Sequence, residues 1–129
     1  MLRGAGAWVV LALAGVFLLI GVLFVAAPQT GAAVFGILTE ETAGLAYVRA
    51  LALRDVALGL YLLGLLRFSS RRAIGVVLAA TVVIPAGDML LVFGSHGLAS
   101  PGHLLLHGFS GVVVATVALW LLRETSGAE

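Results

Sequence analysis

The stretch Tyr47–Tyr61, YVRALALRDVALGLY, decides how this chain is read. With its apolar flanks it is long enough to cross a bilayer, yet it holds Arg49, Arg54 and Asp55. An ionisable side chain near the bilayer centre costs at least ~2.5–3.5 kcal/mol, and such residues face a protein interior or a wet cavity and mark a site. The composition around the stretch excludes a soluble domain. Of 129 residues, 62% are hydrophobic and only 10% charged, where a soluble domain carries about 25% charged residues. The runs Trp8–Ala27, Leu45–Leu66, Ala73–Phe93 and Leu104–Leu122 each approach the roughly 20 residues that a membrane helix needs. The expectation is an all-α protein, an antiparallel four-helix transmembrane bundle. It forms one integral membrane domain over 1–129, with helices about 5–27, 43–67, 72–94 and 101–123.

Charge placement predicts orientation. Arg3, the loop residues Arg67, Arg71 and Arg72, and Arg123 fall on one side of such a bundle, while the other two loops hold Glu40, Glu41 and His96. By the positive-inside rule both termini and the Arg67–Arg72 loop are cytoplasmic, in a plasma (inner) membrane. The net charge of +1 implies no nucleic-acid partner. The chain has no cysteine, which removes thiol redox chemistry, disulfides and thiolate metal sites together. The first run is read as an anchor. A signal peptide's apolar core spans about 7–15 residues, this one runs about 20, and Pro28 would directly follow the cut.

The helix ends are legible. Thr39-Glu40-Glu41 suits the start of the second helix, Ser69 or Ser70 that of the third, and Ser100-Pro101 that of the fourth. Gly94 and Gly97 fit the exit from the third. The connection Pro28–Gly44 is half apolar and is expected to lie along the outer interface as a short helix or re-entrant turn. Gly59, Gly64, Gly108, Gly111 and the Ala7-Leu11-Gly15 face supply small residues where helices approach closely.

At 1.5 Å per residue from the arginine-rich side, Arg54 and Asp55 lie roughly 16–18 Å up, Asp88 and His107 roughly 22 Å, and Arg49 roughly 25 Å. Three helices thus place ionisable groups in one layer, in the outer half of the bilayer. His103 and His107, at i and i+4, point the same way. Arg54 shares a face with Tyr47, Ala50, Ala57 and Tyr61, which reads as an interior stripe, and its depth calls for a carboxylate partner, Asp88 or Asp55. Arg49 is high enough to snorkel to headgroups. Pro85 frees a backbone carbonyl beside Asp88 and can kink its helix. The candidate binding set is Arg49, Arg54, Asp55, Tyr61, Asp88, His103 and His107, with Asp88 and His107 the candidates for catalysis. No metal site is expected, because two arginines would repel the cation and compete for the carboxylates. Nothing resembles a nucleophile elbow or a phosphate loop.

The pieces Pro28…Phe35-Gly-Ile37, Arg49-Ala-Leu-Ala-Leu-Arg54-Asp55-x-x-x-Gly59 and Pro85-x-Gly87-Asp88 resemble a small four-helix integral-membrane family of bacteria and fungi, catalogued as a domain of unknown function and similar to the DoxX-like group. The resemblance covers nearly the whole chain and makes Arg49, Arg54, Asp55, Gly59 and Asp88 motif positions. DoxX-like relatives are linked to quinone, respiratory and redox membrane complexes, but the resemblance supplies no cofactor ligand. The leading functional expectation is a membrane binding or accessory protein, alone, as a homo-oligomer or as a subunit of a membrane complex. Its Arg/Asp/His site would hold the polar head of a lipophilic small molecule such as a quinone, isoprenoid or lipid. The rival is an intramembrane acid/base enzyme, an isomerase or cyclase, with Asp88 as general acid and His107 as its partner. A small proton-coupled transporter ranks below both, because such exporters keep a carboxylate in their first helix and this chain has none there.

Overall fold

An unbroken apolar run gives the first helix, α1 (Ala5–Ala26), and a proline ends it. Pro28 has no N–H and fixes its own φ, so it begins a new helix as its first residue. This is α2 (Pro28–Phe35), set off from α1 by the non-helical residue Ala27. Gly36 closes α2 in the left-handed conformation, φ 100°, which a side chain would oppose. The computed structural model describes residues 2–123; Met1 and residues 124–129 of the expected domain lie outside them.

The charged stretch lies within α3 (Thr42–Phe68). Its first turn has no side-chain cap: Glu41 takes the capping position in extended conformation, and Thr39 packs against Gly44 instead. Ser70 does cap α4 (Arg71–Thr81), its hydroxyl accepting the Ala73 N–H at 3.2 Å. The third apolar run, read as one helix over 72–94, is divided at Val82 into α4 and α5 (Val83–His96). Pro85 accounts for the division: it cannot donate to the Thr81 carbonyl, and its ring crowds that oxygen. The chain tightens there, with the Val82 N–H on the Ala79 carbonyl at 3.3 Å. Gly97, φ 57°, ends α5, Gly94 remains helical, and a 3-10 turn over Gly97–Ala99 leads to α6 (Pro101–Arg123). Among the described residues all regular structure is helical.

Three helical stretches, Ala5–Ala26, Arg71–Ala99 and Pro101–Arg123, are long and apolar enough to cross a membrane, and the chain is an integral membrane protein. Among the described residues helix α3 is the longest single helix, but Arg49, Arg54 and Asp55 set its composition apart.

The helices pack as two units. In one, α1 lies along α3 in the opposite direction. A Cβ on Gly21 would stand 2.7 Å from the Val56 nitrogen and 2.8 Å from the Ala52 oxygen, and one on Gly59 would stand 3.0 Å from the Ala14 oxygen. These two glycines let the backbones touch, the usual device where lipid supplies no hydrophobic drive between helices. Gly64 and Gly15 meet nothing within 4 Å and do not serve this role. In the other unit α4 and α5 pack on α6. The units join in a core of Val10, Ala14, Leu62, Ile74, Leu78, Val114, Ala118 and Leu121, nearest the arginine-rich turns. Toward the opposite end a cleft lies between them, with α2 packed across α1 and α3 at its edge.

Candidate functional site

Several helix ends here are closed by side chains reaching from another helix. The last four carbonyls of a helix have no partner within it, and lipid offers none. Arg71 donates from Nε to the Leu121 carbonyl at 3.1 Å and from Nη2 to that of Trp120 at 3.4 Å, with its guanidinium over the Trp120 ring. Arg49 donates from Nε to the Val25 carbonyl at 3.2 Å, at the end of α1. His103 and His107 both reach the end of α2: their Nε2–H groups donate to the carbonyls of Ala33 at 3.0 Å and Phe35 at 2.9 Å. A carbonyl can only accept, so the proton is on Nε2 in each ring. His103 also packs on Gly36, where a Cβ would stand 2.6 Å from its ring. Sequence spacing correctly puts the two histidines on one face, but it gives no hint that α2 is what they hold. The donors also suit the partial negative charge at a helix C-terminus.

Helix α2, so held, is one wall of a cleft of about 500 Å³. Phe17, Ile20 and Phe24 of α1, residues from Gly44 to Asp55 of α3, Ile84, Pro85, Asp88 and Leu91 of α5, and Leu106, His107, Ser110 and Val114 of α6 complete it. The lining is predominantly apolar. Val114, shared with the core, and Thr81, at the helix break, lie toward its inner end. Thr81 turns its hydroxyl back to the Val77 carbonyl at 2.8 Å and so presents little polarity.

Charge enters the wall at one place. Arg54 Nη2 lies 3.6 Å from Asp55 Oδ1 and 3.8 Å from Asp88 Oδ2, so both carboxylates flank one guanidinium. These are ion pairs longer than hydrogen bonds. The side chains of Asp55 and Asp88 are 18% and 14% exposed and that of Arg54 34%. Arg54 Nε is buried with no hydrogen-bond partner. The depth reckoning placed Arg54, Asp55, Asp88 and His107 together, and all four line the cleft. Neither hydrogen bond nor ion pair joins Asp88 to His107 among the described residues; the His107 ring is buried against that of Phe35, centroids 5.0 Å apart.

Arg49, His103 and Tyr61 lie outside the wall. Arg49 and His103 act on helix ends beside the cleft, and Tyr61 is 62% exposed. The Tyr47–Tyr61 face is therefore not the buried stripe of α3. That stripe is Ala52, Gly59 and Leu62, and Tyr47 meets the cleft only at its exposed margin. The lining aromatics Phe17, Phe24 and Phe35 carry no signal in sequence beyond ordinary membrane composition. Among the described residues no three His, Asp or Glu side chains converge as a metal-holding group.

A family model described as Domain of unknown function (DUF4267) matches residues 12–121. No curated protein and no solved structure matches the chain.

Proposed function

We infer the function of this protein, which belongs to the DoxX-like family described as Domain of unknown function (DUF4267), from its cleft: it binds the polar head of a lipophilic small molecule, a quinone, isoprenoid or lipid. The observation that carries this reading is one ionic cluster, Arg54–Asp55–Asp88, set in the wall of an otherwise apolar cleft of about 500 Å³. That is the form of a small-molecule site, apolar walls with a few polar groups that fix orientation, and the volume is within the usual ~300–1,000 Å³. The head would rest on Arg54, Asp55 and Asp88 while the apolar body lies along the phenylalanines, and His107 would hold the wall beside it through the Phe35 carbonyl. Arg49 and His103 would act as positioning residues. The loose ion pairs favour this use, since an entering polar group can share donors and carboxylates that do not fully satisfy each other. Binding is favoured over the acid/base enzyme because the His107 Nε2–H is engaged by the Phe35 carbonyl.

The test is mass spectrometry of apolar molecules that co-purify in mild detergent. A defined lipophile should accompany the wild type and be lost from Ser110→Trp, which fills the cleft from α6. The same lipid complement in both proteins would refute the reading.

In the membrane, we place the protein as a single antiparallel four-helix bundle, with α4 and α5 together forming the third span. Both termini and the Arg67–Arg72 turn are cytoplasmic, in a plasma membrane, and the cleft opens in the outer half of the bilayer. Arg3, Arg67, Arg71, Arg72 and Arg123 support this orientation by the positive-inside rule. An alkaline phosphatase fused after Glu129 should be inactive, and a fluorescent protein fused there should fluoresce. An active phosphatase would overturn the orientation or the number of spans.

A further inference from the structure

We propose that the cleft selects a lipophilic cation, an amine or onium centre carried on an apolar body; this rests on the reading of the cleft as a binding site and, of the ligands named for it, keeps only a lipid with a cationic head. The first observation is a charge count. Histidine and tyrosine apart, the ionisable groups that the described residues place in the wall are Arg54, Asp55 and Asp88, one cation flanked by two carboxylates. Their formal sum is −1. In an apolar surrounding an uncompensated charge is costly, and either a proton or a bound counter-charge relieves it. A fatty acid or a phosphate head would add a second negative charge beside the carboxylates and is disfavoured. A cation completes the set, with its positive centre near Asp55 and Asp88 and away from the Arg54 guanidinium.

The second observation is the rest of the lining. Phe17, Phe24 and Phe35 come from two helices and line one space, with Tyr47 of a third at its exposed margin. Aromatic faces attract cations, most strongly where water is excluded. A purely apolar cleft would be filled equally well by aliphatic side chains.

The third is the charge layout of the described residues. Glu40 and Glu41 are exposed and lie between the lining residues Thr39 and Gly44. Arg3, Arg67, Arg71, Arg72 and Arg123 lie toward the other end. Near the cleft four acids face two arginines, Arg49 and Arg54. The resulting field draws cations toward the cleft, an effect that weakens with salt.

The experiment uses three probes of one shape: tetraphenylphosphonium, tetraphenylsilane and tetraphenylborate, which carry positive, zero and negative charge. The full chain is held in nanodiscs of zwitterionic lipid, and retention is compared with empty nanodiscs. The phosphonium should bind about tenfold or more tighter than the silane, as expected for one charge a few ångströms away at an effective dielectric near 20, and the borate should not bind. Asp55→Asn and Asp88→Asn should each weaken the phosphonium by about tenfold or more and leave the silane unchanged. The exposed pair Glu40→Gln/Glu41→Gln, which leaves the core untouched, should slow phosphonium association at low salt and match wild type at high salt. If the silane or the borate binds as tightly as the phosphonium, the selection of cations is refuted while the binding cleft stands. The same holds if neither aspartate substitution weakens the phosphonium. If no probe is retained above empty nanodiscs, the cleft reading and the cation inference fall together.

Discussion

Arg54→Ala should lower the stability of the detergent-solubilised protein by about 3 kcal/mol. Removing one partner of a buried ionic set leaves the other uncompensated, at roughly 3–5 kcal/mol, and here two carboxylates would be left behind. The lower end of that range applies because the pairs are 3.6 and 3.8 Å long and Arg54 is partly open to the cleft. Arg49→Ala should cost only about 1 kcal/mol, the net value of an exposed hydrogen bond such as the one to the Val25 carbonyl. Thermal melting of both variants beside wild type gives the order, and unfolding by a titrated trap gives the magnitudes. The triple variant Arg54→Met, Asp55→Leu, Asp88→Leu should recover most of the loss, because replacing a whole buried ionic set by apolar residues of similar volume is often neutral. Equal and small effects of the two arginine substitutions would show that Arg54 is solvated and that the ionic cluster does not brace the helices.

The contrast between these arginines shows what sequence can reveal here. Membrane integration and all-helical structure follow from composition and run length alone. The convergence of Arg54, Asp55 and Asp88 follows from helical rise, because the energetic cost of buried charge leaves few arrangements open. Arg49 lies on the same helix, and sequence offered it only headgroups as a partner. Its actual partner is a backbone carbonyl, and every residue carries one of those, so no pattern of letters marks it. The same holds for Arg71 on α6 and for both histidines on α2. The backbone contact of α1 with α3 was half legible. Gly59 stood out, while its counterpart Gly21 lies in a run so uniformly apolar that no face is distinguished. The division of the third run at Val82 was foreshadowed by Pro85, but the break falls one turn earlier, at the carbonyl that the proline cannot serve.

At α1 and α2 these contacts share one physical cause. The last carbonyls of a helix have no partner within it, and each side-chain donor that serves one ties that end to a neighbouring helix. At α2 the tie has a functional consequence. Helix α2 is a wall of the cleft, and it is short, so it owes its position to what holds it. Two imidazoles from α6 supply that hold, across from α1 and α3, on which the rest of α2 packs. The cleft therefore depends on a bond between its two helical units, made at its own edge.

His107 is where bracing and proton transfer can be told apart. His107→Phe keeps a ring beside Phe35 but leaves the Phe35 carbonyl without its donor, and it should cost about 1–3 kcal/mol, the penalty for a buried unsatisfied polar group. His107→Gln places an N–H the same number of bonds from the backbone and should restore most of that stability. Hydrogen exchange in α2 should rise in the phenylalanine variant and stay near wild type in the glutamine variant, and retention of the co-purifying lipophile should follow the same order. A general acid or base gives the opposite pattern, because neither glutamine nor phenylalanine can exchange a proton near neutral pH. Both variants would then be equally inactive whatever their stability. Rescue by glutamine of fold and ligand together assigns His107 to holding the wall. Loss of ligand in a stable glutamine variant would instead place the imidazole in direct contact with the bound head, and the clamp would no longer account for its presence in the cleft.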